Sequence, residues 1–220
     1  MKKIVIICPH PKGVAPGQRL KYEQYFESWR KNGYEVDIKP FMTYRFWNIV
    51  YKRGYFLEKI FWTCLSYLKR IKLIFSLKKY DLSYIFLWVT PFGSTLFERL
   101  YCKISKNVIY DIDDLVYHKD HKSEANSFLA FLKGRKKPIY LMRHSNHVIT
   151  CTPHLDSFVR KFNSNTTDIS STINTDLYIP ANKYTNDSIL TIGWSGSHST
   201  SKYVYLLQEI LLEISKKHIF

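Results

Sequence analysis

The chain has 220 residues, of which 45% are hydrophobic, and carries a formal net charge of +15. This length allows one or two domains with a sizeable apolar core, and the charge predicts an anionic partner. No run of about eighteen residues is apolar and free of charge, so the sequence predicts no membrane span. The four cysteines are widely separated, which is typical of reduced thiols in a cytoplasmic protein.

Apolar runs and helical patterns alternate along the chain. The predicted strands are Lys3–Cys8, Tyr34–Lys39, Leu82–Val89, Val108–Asp111 and His147–Cys151. The predicted helices are Gly17–Asn32, Tyr44–Lys79 with a break near Gly54, Ser94–Ile104, Lys136–Ser145 and Leu155–Phe162. Strands this apolar, separated by helices, predict a parallel sheet covered on both faces. The expected fold class is therefore α/β, with a Rossmann-like, doubly wound parallel sheet.

The composition changes after Ser164 to Asn, Thr, Ser and Asp, and a strand-like run resumes at Ile189. We expect a first domain over residues 1–178, a linker over 179–187 and the start of a second, incomplete Rossmann-like domain over 188–220. After the strand-like run that starts at Ile189, a Gly/Ser turn leads into a helical pattern near Ser199. A helix N-terminus offers unpaired N–H groups and a positive dipole end, which suit a phosphate.

A strongly basic segment runs from Phe41 to Lys79, with nine Lys and Arg residues, one acidic residue and many aromatic residues. Three interpretations remain open: a core-packing helix with a basic outer face, docking on an anionic membrane, or binding of nucleic acid. No recognised nucleic-acid-binding motif accompanies the charge, which makes the last the weakest. In the membrane interpretation Lys69, Arg70 and Lys72 face the bilayer.

Two polar clusters follow predicted strands. The first loop carries Gly13 and Gly17, which allow close approach of a ligand, and Arg19, which could reach a phosphate; an ordinary turn with a surface arginine is the alternative. The acidic cluster Asp111–Asp114 ends a strand, where open α/β sheets bind ligands. It fits polar contacts in a cleft, a cap for the next segment or, less well, a metal site.

Five segments, in this order, resemble family-4-type bacterial glycosyltransferases of the GT-B architecture. They are the glycine-containing loop Pro11–Arg19, the "YDxDD"-like strand end Val108–Asp114, the strand and helix start Val148–Leu155, the interdomain-like segment Ile173–Pro180, and the donor-domain opening Ile192–Ser197. The resemblance covers nearly the whole chain. In this family two Rossmann-like domains face each other across a cleft.

The resemblance implies a transferase, expected to be retaining, that moves a sugar from a nucleotide-sugar to a cell-surface polysaccharide or lipid-linked acceptor. It implies a donor diphosphate site at Gly196, Ser197, Ser199 and Thr200. Acceptor or cleft contacts would come from Gly13, Gly17, Arg19, Asp113 and Asp114. No cofactor, metal or nucleic acid is expected, and the catalytic residues are not identified. The chain ends where the family's donor domain would continue, so we expect it to be inactive alone. We expect it in the cytoplasm, either free or on the inner face of the cytoplasmic membrane. The alternative function is that of a non-catalytic basic α/β module that docks on an anionic membrane or a partner enzyme or, less well, binds nucleic acid.

Overall fold

A computed structural model describes residues 1–114, 134, 136–179, 192–196 and 198–217. The chain divides into two compact units, Met1–Asn174 and Thr175–Phe220.

The first unit is built on a six-stranded sheet with the order β2-β1-β3-β4-β5-β6. All neighbouring strands are parallel. The strands are β1 (Lys2–Cys8), β2 (Tyr34–Pro40), β3 (Leu82–Phe86), β4 (Val108–Asp111), β5 (His147–Thr150) and β6 (Thr166–Asp168). The helices of this unit are α1 (Pro16–Lys21), α2 (Phe26–Lys31), α3 (Tyr44–Val50), α4 (Phe56–Ile74), α5 (Leu96–Ile104), α6 (Lys136–His144) and α7 (Pro153–Val159). The predicted α/β fold with a helix-flanked parallel sheet is confirmed.

The core lies on both faces of the sheet, as the alternation of side chains along β1 requires. Val5 and Ile7 pack on one face, in a cluster that includes Leu73 of α4 and Tyr101 of α5. Ile4, Ile6 and Cys8 pack on the other face with two aromatic residues, Tyr22 and Phe26. Each fully buried aliphatic side chain of this kind contributes about 1.5–3 kcal/mol to stability. This burial explains why the strands read as continuous apolar runs.

The strand order creates a topological switch point between β1 and β3. The chain leaves β1 towards β2 on one side, whereas from β3 it proceeds to β4, β5 and β6 on the other. In open α/β sheets the connections on the two sides diverge at such a point and leave a crevice outside the carboxyl ends of the strands. The loops after β1, β3 and β4 all begin at this edge.

Most element predictions are confirmed, and the differences have local causes. The helix predicted over Gly17–Asn32 is interrupted at Tyr22, whose φ of −142° is not helical. Its ring instead packs against Phe26, Tyr84 and Phe86. The break predicted near Gly54 is present, with Gly54 at φ +78°.

Two further differences lie at the ends of the sheet and of the chain. β6 falls in the polar stretch after Ser164 and was not predicted, because Thr166–Asp168 has neither the length nor the apolar character of a buried strand. In the second unit a 3₁₀-helix over His198–Leu207 precedes helix α8 (Gln208–Ser215). Of the strand-like run predicted from Ile189 to Gly193, only Ile192 and Gly193 are among the described residues, and neither is in a strand.

Candidate functional site

The loop after β1 is held in shape by two buried side chains of the next segment, Gln18 and Glu23. The His10 N–H donates to Gln18 Oε1 (2.9 Å), and Gln18 Nε2 donates to the His10 carbonyl (3.0 Å) and to Glu23 Oε1 (3.1 Å). The Gly13 N–H donates to Glu23 Oε2 (2.8 Å), with Gly13 at φ +83°, a conformation that favours glycine. Sequence reasoning missed both residues, since a glutamine and a glutamate in a helical pattern resemble ordinary surface positions.

A buried ion pair joins α1 to the carboxyl edge of the sheet. Lys21 Nζ lies 3.2 Å from Asp111 Oδ1, and each side chain is only 1% exposed. The same ammonium donates to the main-chain oxygens of Thr150 (3.2 Å) and Ile169 (3.0 Å), while the Tyr84 hydroxyl donates to Asp111 Oδ2. Burial raises the pKa of Asp111 to about 6, although Lys21 and Tyr84 act in the opposite direction. Asp111 is therefore a structural anchor of this edge.

Two predicted site residues, Gly17 and Asp113, are brought together at the crevice. A Cβ atom placed on Gly17 would lie 3.0 Å from Asp113 Oδ2 and 3.7 Å from the ring of Phe86. Burial raises the pKa of Asp113, opposed by a main-chain N–H and by Lys21. The bare Cα of Gly17 therefore leaves room for a half-buried carboxylate at the end of β4.

The other predicted cleft residues are Gly13, Arg19 and Asp114. Asp114 and Arg19 are exposed, and Gly13 is exposed at the tip of the first loop. The segment that Asp111–Asp114 was suggested to cap lies outside the described residues. Within the described residues, no group of three or more His, Cys, Asp or Glu side chains is arranged to hold a metal ion.

Two residues at the switch point were not identified from the sequence. Leu87, directly after β3, has φ +63°, a left-handed conformation that costs a residue with a Cβ about 1–2 kcal/mol. Its carbonyl accepts a hydrogen bond from the Tyr110 hydroxyl (2.9 Å), and its N–H donates to the Asp111 carbonyl (3.0 Å). Strain of this kind clusters at functional sites. A leucine in an apolar run gives no sequence signal for it.

The second residue is His10, directly after β1 and its following proline. Its ring lies edge-on to Trp47, with 4.7 Å between the centroids, and its Nδ1 is buried without a hydrogen-bond partner in the described structure. Burial lowers the pKa of His10 to about 4, so the imidazole is neutral at pH 7. The spacing of histidines along the sequence gives no signal for His10, because the residues that surround its ring, such as Trp47, are distant in the chain.

The basic segment forms α3 and α4, and here one prediction is wrong. Arg70 is 2% exposed and cannot face a membrane. Its guanidinium donates to the carbonyls of Val89 (2.9 Å), Lys39 (2.7 Å) and Cys8 (3.0 Å). Arg70 follows Lys69 directly, and a helix rotates about 100° per residue, so the Arg70 side chain turns towards the core. Lys69 and Lys72 are exposed, as predicted.

The face of α4 that points away from the core carries an apolar stripe, which is exposed in the described structure. Its members recur at three- and four-residue intervals, so they lie on one side of the helix. They are Leu57, Ile60, Phe61, Cys64, Leu68, Ile71 and Phe75. The face that packs on the core contributes only Ser66, Arg70 and Leu73 as buried residues. The core-packing interpretation therefore accounts for one face of α4 and leaves the apolar stripe without a packing partner among the described residues.

The predicted donor site lies in the second unit. Gly196 is exposed, Ser197 lies outside the described residues, and Ser199 and Thr200 fall in the first turn of the 3₁₀-helix.

Comparison with known proteins adds no family assignment to this geometry. Among the described residues, no helix combines the length and the apolar character needed to cross a bilayer. No protein-family model matches the chain, and no curated protein matches it at a significant level.

Proposed function

We propose that the protein is a glycosyltransferase of the GT-B type, which moves a sugar from a nucleotide-sugar to a cell-surface polysaccharide or lipid-linked acceptor. The observation that carries the proposal is the cluster of residues at the carboxyl ends of the strands beside the β1–β3 switch point. There the ordered first loop, the bare Cα of Gly17 and the carboxylate of Asp113 meet. This is the edge at which α/β sheets bind ligands.

Each part of this cluster suits an acceptor sugar. The Asp113 carboxylate can accept a hydrogen bond from a sugar hydroxyl, and the bare Cα of Gly17 leaves room for that carboxylate. The buried Lys21–Asp111 pair and the Gln18–Glu23 pair keep the surrounding backbone in place before binding. Transfer itself requires stabilisation of the negative charge on the departing nucleoside diphosphate. We assign that role to the Gly196–Thr200 segment, as the family resemblance implies.

Two measurements on the purified chain test the proposal. The first is transfer of radiolabelled sugar from a panel of nucleotide-sugars into a bacterial lipid extract. The second is retention on an array of bacterial surface glycans. We expect glycan retention by the wild type and its loss in Asp113→Asn; transfer by this chain alone is not expected, as the resemblance implies. The matched control is Glu27→Gln, which removes an exposed carboxylate from α2. Neither retention nor transfer by the wild type, or equal loss in both variants, would contradict the proposal.

A second candidate function is docking on an anionic membrane, without catalysis by this chain. The observation that favours it is the exposed apolar stripe of α4, flanked by the exposed cations Lys69 and Lys72. An apolar face bordered by basic residues is the pattern of helices that lie in the interface of an anionic bilayer. Because exposed apolar patches of this extent are uncommon on monomeric proteins, the stripe calls for a covering partner.

Flotation with phosphatidylglycerol vesicles tests this second candidate. The variant Leu57→Ser/Phe61→Ser/Leu68→Ser should lose vesicle binding, whereas Leu96→Ser/Ile169→Ser/Ile173→Ser, which also removes three exposed apolar side chains, should retain it. Binding that persists in the stripe variant would exclude α4 docking on an anionic membrane. Binding to phosphatidylcholine vesicles or to duplex DNA that is as strong as binding to phosphatidylglycerol vesicles would exclude it as well.

A further inference from the structure

A cavity of about 680 Å³ opens beside α4, on the first unit. It lies between the end of β2, the start of α3 and the C-terminal half of α4, with Pro11 and Lys12 of the first loop at its rim. The Tyr44 hydroxyl donates to the Lys12 carbonyl (2.7 Å) and ties that loop to α3. The cavity is therefore formed by segments that the fold already holds together.

The lining of this cavity is strongly cationic. Five of its lining residues are basic and none is Asp or Glu; the basic residues are Lys12, Lys39, Lys69, Arg70 and Lys72. Lys39 is neutralised by Asp37, with 2.8 Å between Nζ and Oδ2. In the described part of the chain, the ion pairs include none from the other four cations to a carboxylate. Four positive charges thus line one space, and none of them forms an ion pair with a carboxylate among the described residues.

Arg70 gives this site a fixed donor. Its side chain is buried and held by three carbonyl oxygens, which use three of the five N–H donors of a guanidinium. Two donors remain, and Arg70 is among the residues that line the cavity. Carbonyl oxygens also orient the side chain without cancelling its charge, so the cation remains available to an anion. A planar, pre-oriented guanidinium with nearby ammonium groups is a recurrent arrangement for binding phosphate.

We propose that this cavity binds an organic phosphate ester, with the phosphate on Arg70, Lys69 and Lys72. The volume is in the range of small-molecule sites, about 300–1,000 Å³, and far exceeds that of phosphate alone. Apolar side chains, among them Ile38, Met42 and Leu73, also line it and would contact the organic part. Both a soluble phosphate ester and a lipid headgroup have this chemistry. The site is separate from the β1–β3 crevice and does not depend on glycosyl transfer.

Calorimetric titration with glycerol 1-phosphate and with pyrophosphate tests the proposal. We compare the wild type with Lys69→Ala/Lys72→Ala and with the control Lys78→Ala/Lys79→Ala. All four lysines are exposed, so neither variant disturbs the core, and both remove the same charge. We expect the wild type to bind both probes. The affinity of the cavity variant should be lower by about tenfold or more, and that of the control should stay within about twofold of the wild type.

The same titrations distinguish the sources of the ligand. If phosphatidylglycerol vesicles displace glycerol 1-phosphate, the ligand is a lipid headgroup; if they do not, it is a soluble ester. Absence of binding by the wild type to both probes would overturn the proposal. Equal weakening in both double variants would overturn it as well, since a general field of positive charge would then explain the binding.

Discussion

Two buried cations of the first unit are stabilised in different ways. Lys21, on α1, contacts the carboxylate of Asp111, and both side chains are almost completely buried. Arg70, on α4, contacts three carbonyl oxygens, and no described carboxylate lies within ion-pair distance. In the first arrangement the two charges neutralise each other, and the pair fixes the edge of the sheet. The second retains its charge beside a cavity, which suits a residue that binds a ligand.

The largest expected effect comes from breaking the Lys21–Asp111 ion pair. Asp111→Ala leaves Lys21 buried without a counter-charge and should lower the free energy of unfolding by about 3–5 kcal/mol. Urea denaturation measures this loss. Asp114→Ala, three residues along and exposed, should change stability by no more than about 0.5 kcal/mol. A loss below about 1 kcal/mol in Asp111→Ala would mean that the pair does not anchor this edge.

The next test concerns His10, a buried group that stays neutral. Its pKa is lowered from 6.5 to about 4, so below pH 6.5 the unfolded chain takes up a proton that the folded chain does not. His10 therefore reduces stability as the pH falls from 6.5 towards 4. Asp111, with its pKa raised from 3.8 to about 6, has the opposite effect, because the folded chain holds the proton in that window.

The variant His10→Phe keeps an aromatic ring against Trp47 and removes the titration. Between pH 7 and 4.5 it should lose about 2–3 kcal/mol less stability than the wild type, measured by urea denaturation at each pH. Parallel stability curves for the two proteins would show that His10 is not buried as described.

A smaller effect on the free energy of unfolding is expected at Arg70, the buried cation that has no paired carboxylate among the described residues. Arg70→Met leaves the carbonyls of Cys8, Lys39 and Val89 without this donor and should cost about 1–3 kcal/mol. Glycerol 1-phosphate should raise the melting temperature of the wild type and leave that of Arg70→Met unchanged. The same increase in both proteins would separate Arg70 from the proposed ligand.

The smallest expected effect is at Gly17. In Gly17→Ala the new methyl group meets the end of the Asp113 side chain, which can rotate away, so stability should change by no more than about 0.5 kcal/mol. Glycan retention should nevertheless fall, because the carboxylate moves. Thermal denaturation and the glycan array measure the two quantities. Unchanged retention would remove Gly17 and Asp113 from the acceptor site.

The sequence was sufficient where structure follows from local pattern. The apolar strands, the break at Gly54 and the location of Asp111 and Asp113 at a strand end all follow from periodicity and turn chemistry. It was insufficient where burial depends on packing between distant segments. Arg70 looks like its neighbours Lys69 and Lys72, yet its partners lie on β1, β2 and the loop after β3. The strain at Leu87 and the environment of His10 arise in the same way.

The two outer strands of the sheet also bear on how copies of the chain associate. β2 is punctuated by Glu35, Asp37 and Lys39 and ends at Pro40, whereas β6 has only three residues. Charges, proline and shortness are the features by which proteins discourage strand addition at an open edge. Self-association on concentrating the protein should therefore proceed through the α4 stripe, producing oligomers that mild detergent dissolves, and should not build fibrils with cross-β order.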